Sequence, residues 1–169
     1  DWPINQGVYV DYMIYGLRGY EEVAQNEIAA MFQTQQQPDG RIGGYANWGV
    51  YSPGQLYAIA QNYLLSGNDK LFEELLPNSL KTLDWCLTQI EGARSRENST
   101  GLILGALNDL SHGERAWAFT QAYYVGGLEI FANRGLLFMP ININLSPYNR
   151  ELSVSVKEGS ATISDLTVY

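Results

Sequence analysis

A chain of 169 residues with 46% hydrophobic content is long enough to bury a core as one domain and is set apart from disordered sequences. Its 18 acidic residues against 10 basic ones leave a net charge of −8 and no basic block able to neutralise several phosphates, which disfavours nucleic acid and anionic membrane surfaces as partners. No stretch approaches the roughly 20 apolar residues of a membrane span, and Asp1-Trp2-Pro3 carries no signal-peptide pattern.

The first periodic stretch, Tyr9-Val10-Asp11-Tyr12-Met13-Ile14-Tyr15-Gly16-Leu17-Arg18-Gly19, has two further copies. One runs from Tyr57 to Gly67 and the other from Trp117 to Gly127. Each has an aromatic residue, a tyrosine six positions on, and a glycine four positions after that. The copies start 48 and then 60 residues apart, room for a helix out, a helix back and a loop. Gly19, Gly67 and Gly127 stand where a helix can close in the left-handed conformation that glycine tolerates. For Gly127 an extension of the helix through Leu128 to Asn133 is the alternative. Asp11, inside an apolar helix, needs a partner or a polar cavity.

Tyr20 to Thr34 reads as an amphipathic helix with Val23, Ile28, Met31 and Phe32 on its apolar side. The following loop, Gln35 to Ser52, is long for a compact helical domain. After the second copy, residues 69–91 carry a stripe of Leu76, Leu80, Leu83, Leu87 and Ile90. Pro77 predicts a break there, with a short helix to Leu76 and a longer one from about Pro77. Cys86, the lone cysteine, sits in an apolar run and reads as packing; one cysteine excludes an intrachain disulfide. A second long loop, Ala93 to Gly113, leads to the third copy. From about residue 136 the pattern alternates with period two, in Leu152 to Val156 and Ala161 to Val168. A turn at Lys157-Glu158-Gly159-Ser160 joins them, and Ile141 to Leu145 is a candidate third strand.

The expected fold is therefore mainly α: α/α-hairpin repeats over residues 1–135, forming part or all of an α/α toroid or an open solenoid, and a small β element over 136–169. The repeat helices are more uniformly apolar than those between them, so an inner and an outer layer are expected.

If the repeat helices run parallel, the loops that lead into them share one rim, where helix N-termini also present backbone donors. Those loops bring Trp2, Arg41, Tyr45, Trp48, Tyr51, His112 and Trp117 as candidate substrate contacts and Asp39, Asp109 and Glu114 as candidate acids. Four tryptophans and 12 tyrosines among few charges suit neutral polyols, although rings also fill cores. Hydrolysis of a glycoside needs two carboxyl groups, about 5–5.5 Å apart for double displacement or roughly 6.5–9.5 Å for direct attack by water. Each acid has a plainer reading. Asp39 before Gly40, and Asp109 before Ser111-His112-Gly113, fit tight turns, and Glu114 fits a complement to the helix dipole. His112, the only histidine, reads equally as a loop residue, and no metal site or cofactor is expected.

Several segments in order then resemble a known family: Gln36-Gln37-Pro38-Asp39-Gly40-Arg41-Ile42, Trp48, Ser52-Pro53-Gly54-Gln55-Leu56-Tyr57, Tyr63-Leu64-Leu65-Ser66-Gly67-Asn68, Leu80-Lys81-Thr82-Leu83-Asp84-Trp85, and Thr100-Gly101-Leu102-Ile103 leading to Asn108-Asp109. Together they are similar to bacterial six-hairpin glycosidases of the rhamnosidase-like kind, over about residues 1 to 134. The resemblance implies an (α/α)6 toroid, an active site on the rim, carboxylate acid and base residues, and a flanking β domain. The chain departs from the family in size, with about two and a half hairpins. Self-association is expected if the ring is incomplete, and a periplasmic or secreted bacterial location is favoured. Three functions follow as expectations: a glycoside hydrolase or a piece of one, a non-catalytic carbohydrate-binding module, and a helical-repeat scaffold for a partner protein.

Overall fold

The computed structural model describes residues 14–43, 49–105, 115–135, 141–145, 151–156 and 162–167, and these are mainly helical. After the end of a helix at 14–17, the chain forms α1 (Glu21–Gln35), α2 (Tyr51–Ser66), α3 (Asp69–Ser95) and α4 (Ala118–Ile130), the last running into a π-helical turn, Phe131–Gly135. No helix among the described residues is long and apolar enough to cross a membrane.

Local chemistry explains where the hairpins turn. Gly19 and Gly67 adopt φ of 79° and 61°, the left-handed region in which a Cβ is strained, and the Gly67 N–H closes α2 by donating to the Tyr63 carbonyl at 2.8 Å. Asn68 follows at once as the N-cap of α3, accepting from the Leu71 N–H at 3.1 Å. Its amide donates to Gln25 at 2.9 Å, so one side chain starts α3 and ties it to α1. The third copy turns differently. α4 passes through Gly127 without a cap, and Gly127 instead lets α4 press against Pro53 of α2.

Named contacts give the helix directions. Gln25 meets Asn68 at the end of α2, while the Ile28 carbonyl meets the buried Gln55 nearer its start, so α1 and α2 are antiparallel. Phe72 of α3 packs on Tyr63 at the end of α2, with centroids 5.0 Å apart, so α3 returns against α2. Phe72 also packs on Phe131, at 6.2 Å, at the far end of α4. At the near ends Gly49, just before α2, meets Thr120 in the first turn of α4, and Pro53 meets Gly127 further along. Hence α2 and α4 run the same way, side by side, and α1 and α3 run the opposite way. Gly16 lies close to the end of α2, where a Cβ on it would stand 3.2 Å from Leu65 Cδ1. α2 is the most enclosed: of its residues 51–60, all but Tyr57 are buried.

Three expectations about these helices are corrected. Pro77 does not divide Asp69–Ser95, which is one helix. Pro77 and Glu73, whose carbonyl loses its N–H donor, both lie on the exposed face, where that carbonyl is not forced into an apolar interior. The buried line of α3 passes through Phe72, Leu75, Ser79, Thr82, Leu83, Cys86 and Leu87, leaving Leu76 and Leu80 half-buried at its edge. Of the small polar side chains in its middle, Ser79 donates back to the Leu75 carbonyl of the same helix and Thr82 holds the loop described below. In α1, Ala24 takes the buried place expected of Val23, which is exposed.

Near the C-terminus the backbone pairs as three antiparallel strands, β1 (Ile141–Leu145), β2 (Glu151–Val156) and β3 (Thr162–Thr167), in that order across the sheet. Ile143 is opposite Val154, and the β2–β3 register shifts between Leu152 and Val154.

Candidate functional site

The loops that lead into α2 and α4 meet. Gly49 and Gly105 lie so close that a Cβ on Gly105 would stand 3.1 Å from the Gly49 Cα and N, with the Thr120 hydroxyl 3.5 Å away. Each loop is held at its base. Gln36 pairs with Ile42 as an isolated antiparallel bridge, and the Ile42 N–H donates to the Ser52 hydroxyl at 3.0 Å in the first turn of α2. Gly105 pairs with Arg115 in the same way, each N–H donating to the other's carbonyl at 3.0 Å. Gln121 clamps Ile103 by donating to its carbonyl at 2.8 Å and accepting from its N–H at 3.1 Å. Segments 44–48 and 106–114 therefore both leave from the end of the molecule where the parallel α2 and α4 begin.

The first loop is anchored more firmly than its glycine content suggests. Gly40, at φ 93°, sits against the backbone of Lys81, where any Cβ would overlap the carbonyl. The buried Thr82 hydroxyl donates to the Gly40 carbonyl at 2.8 Å and accepts from the Gln36 amide at 2.9 Å. Gln36 also donates to the Asn78 carbonyl at 2.7 Å and accepts from the Asn78 amide at 2.6 Å. Sequence reading missed this network, because Gln36, Asn78 and Thr82 are polar residues that a hydrophobic pattern assigns to the surface.

Of the candidate acids, Asp39 has a structural task. Its Oδ1 accepts from the Arg41 N–H at 3.0 Å inside a turn closed by the Gln37 and Gly40 N–H groups, and the side chain is exposed. Asp39 thus holds the tight turn that its place before Gly40 suggested. Asp109 and Glu114 lie outside the described residues, as do Trp2, Asp11, Tyr45, Trp48 and His112. Arg41 is half-buried beside the Asp39 turn. Tyr51, expected as an open-rim contact, is only 3% exposed: it is the first residue of α2 and belongs to the core, where its ring is worth most. Trp117 is half-buried at the N-cap of α4 and stacks on Phe119, with centroids 6.3 Å apart and planes at 22°. Phe119 is 40% exposed, although its place within the apolar repeat reads as core.

Behind this rim, burial pushes the Cys86 thiol and the Tyr124 phenol far above their usual values, and their proximity raises Tyr124 further. Both stay protonated, so neither supplies a nucleophile or base. Among the described residues, no group of three or more His, Cys, Asp or Glu side chains comes together in a way that could hold a metal ion. Comparison of the chain with protein-family models, curated proteins and solved structures gives no match.

Proposed function

We propose that the chain is a glycoside hydrolase, or a part of one, acting on a neutral glycan, with Asp109 and Glu114 as the carboxylate pair and its helices as part of an (α/α)6 toroid. The observation that carries this reading is the Gly49–Gly105 contact. It joins the bases of two long loops where two parallel helices begin, so residues far apart in sequence, including the segment that holds both acids, leave from one place. The alternation of helix direction supports the toroid, and the C-terminal strands are read as the flanking β element. In the reaction, one carboxylic acid protonates the departing glycosidic oxygen. The other, as a carboxylate, attacks the anomeric carbon or activates water to do so. Trp117 contributes a substrate contact, and Asp39 shapes the loop beside it.

The stacked, part-exposed Trp117 and Phe119 favour one second reading, a carbohydrate-binding module without catalysis. Assay of a panel of aryl glycosides separates the two. Turnover that falls by about 10²-fold or more in Asp109→Asn and Glu114→Gln, with unchanged circular dichroism, supports the hydrolase. Inactivity on the whole panel together with clear sugar binding supports the module instead.

A further inference from the structure

Where the helix at 14–17 turns into α1, the chain keeps an apolar surface in solvent. Ile14, Tyr15, Leu17, Tyr20, Val23 and Leu65 are between 38% and 64% exposed. By contrast α3, the longest helix, leaves no large apolar side chain exposed. The six are neighbours. The Tyr15 and Tyr20 rings meet edge to face, with centroids 6.4 Å apart. Ile14 and Leu17, like Tyr20 and Val23, are three positions apart, the spacing of adjacent side chains on a helix. The close approach of Gly16 to Leu65 brings the end of α2 to the same place.

The turn that carries this face is fixed. The Tyr20 N–H donates to the Tyr15 carbonyl at 2.8 Å and the Gly19 N–H to the Gly16 carbonyl at 3.1 Å, around the left-handed Gly19. This pattern closes helices and commonly carries an apolar contact, which accounts for the pairing of Tyr15 with Tyr20. It does not account for leaving two rings and four aliphatic side chains in water. Together the six present roughly 600 Å² to solvent, the upper end for the largest patch on a monomer. Arg18, Glu21 and Glu22, all exposed beside them, bring the face to roughly the 800 Å² that each partner gives to a stable interface.

We propose that this face pairs with the same face of a second copy of the chain across a two-fold axis. Such an interface has to complement itself, and the charges here do. Arg18 lies in the turn and Glu21 and Glu22 in the first turn of α1, and none of the three has an ion pair among the described residues. Across the axis the Arg18 guanidinium of each copy meets the Glu21 and Glu22 carboxylates of the other, while the apolar side chains bury one another. A single arginine beside two acids, on a chain of net charge −8, sets the face against anionic partners. The face lies at the end of α2 remote from the Gly49–Gly105 contact, so pairing and glycan binding are independent.

Sedimentation velocity and light scattering of the full chain, from about 1 µM to about 100 µM, test the pairing. The wild type should pass from one copy to two across this range. Leu17→Ser and Tyr20→Ser should each weaken association about tenfold or more, and Val125→Ser, at an exposed position of α4, should leave it unchanged. Arg18→Glu, and Glu21→Arg with Glu22→Arg, should each give single copies, because like charges then face each other. An equimolar mixture of these two charge variants should recover the pair. Circular dichroism checks the fold of each variant, and where a charge variant is unfolded the two serine variants decide. A wild type that stays single throughout overturns the pairing, as does association that survives both serine substitutions. Folded charge variants that fail to recover the pair when mixed overturn it as well.

Discussion

Gly127 of α4 lies directly against the carbonyl of Pro53 in α2: a Cβ at Gly127 would overlap that oxygen and stand 2.9 Å from its carbon. The neighbouring Gly126 has nothing nearer than the Tyr57 ring at 4.0 Å. Alanine should therefore act with opposite sign at adjacent positions. Gly126→Ala gains helix propensity, up to about 1 kcal/mol. Gly127→Ala gains the same but forces two backbones apart, a strain of about 1–3 kcal/mol, and should be destabilising on balance. Urea unfolding midpoints at constant slope measure both, and a stabilised Gly127→Ala would show that the helices can separate freely.

Two left-handed glycines should respond unequally to the same change. At Gly67, where nothing lies within 4 Å, alanine costs only the backbone strain, about 1–2 kcal/mol. At Gly40, alanine carries that strain and also collides with the Lys81 carbonyl, so it should cost more and release the loop from α3. Hydrogen exchange at the Gln37 and Gly40 amides, bonded within the turn, should rise in Gly40→Ala and not in Gly67→Ala.

Thr82→Val keeps the shape of a fully buried side chain but deletes the donor to Gly40 and the acceptor for Gln36. The expected loss is about 1–3 kcal/mol in denaturant unfolding. A neutral result would mean that water replaces both bonds.

Alkaline pH should unfold the protein through Cys86 and Tyr124. Both hold their protons more tightly in the folded state than at their ordinary values of 9.0 and 10.0. Above those values the unfolded chain binds fewer protons than the folded one, so stability is fully present below them and falls as pH rises past them. Tyr124→Phe should reduce this loss. At neutral pH it should be neutral or stabilising by up to about 1 kcal/mol, because it removes a buried hydroxyl with no partner among the described residues. Unfolding midpoints measured across the alkaline range test both parts.

Asp39→Asn retains an oxygen that can accept from the Arg41 N–H, so stability and any glycosidase activity should survive. Asp39→Ala removes that acceptor and should cost about 1 kcal/mol. Activity abolished in Asp39→Asn, with stability unchanged, would return Asp39 to the chemistry.

The turns at Gly19 and Gly67 were legible because their markers are local. Gly19 and Gly67 announce their turns by a backbone conformation other residues avoid, and the aromatic positions recur at fixed distances. What escaped the sequence depends on neighbours distant along the chain. Tyr51 is buried because α2 is surrounded, which no feature of its own segment states. Pro77 sits inside a helix because its free carbonyl faces water, and the hydrophobic stripe drawn through Leu76 and Leu80 did not show that face. Gln36, Asn78 and Thr82 look like surface residues until the loop is laid on α3. Of the candidate site, the two long loops and Trp117 were visible from length and composition. Phe119 was hidden by its apolar repeat, and Asp39 was visible with its turn reading beside the catalytic one.

Successive residues of a helix project about 100° apart, so the dipeptide Gly126-Gly127 governs two dimensions of the molecule separately. Bulk at the second residue would alter how deeply the pair of helices interlock; bulk at the first would meet only the edge of the Tyr57 ring. Related chains could thus vary the surface beside that ring by one side chain while keeping the same scaffold.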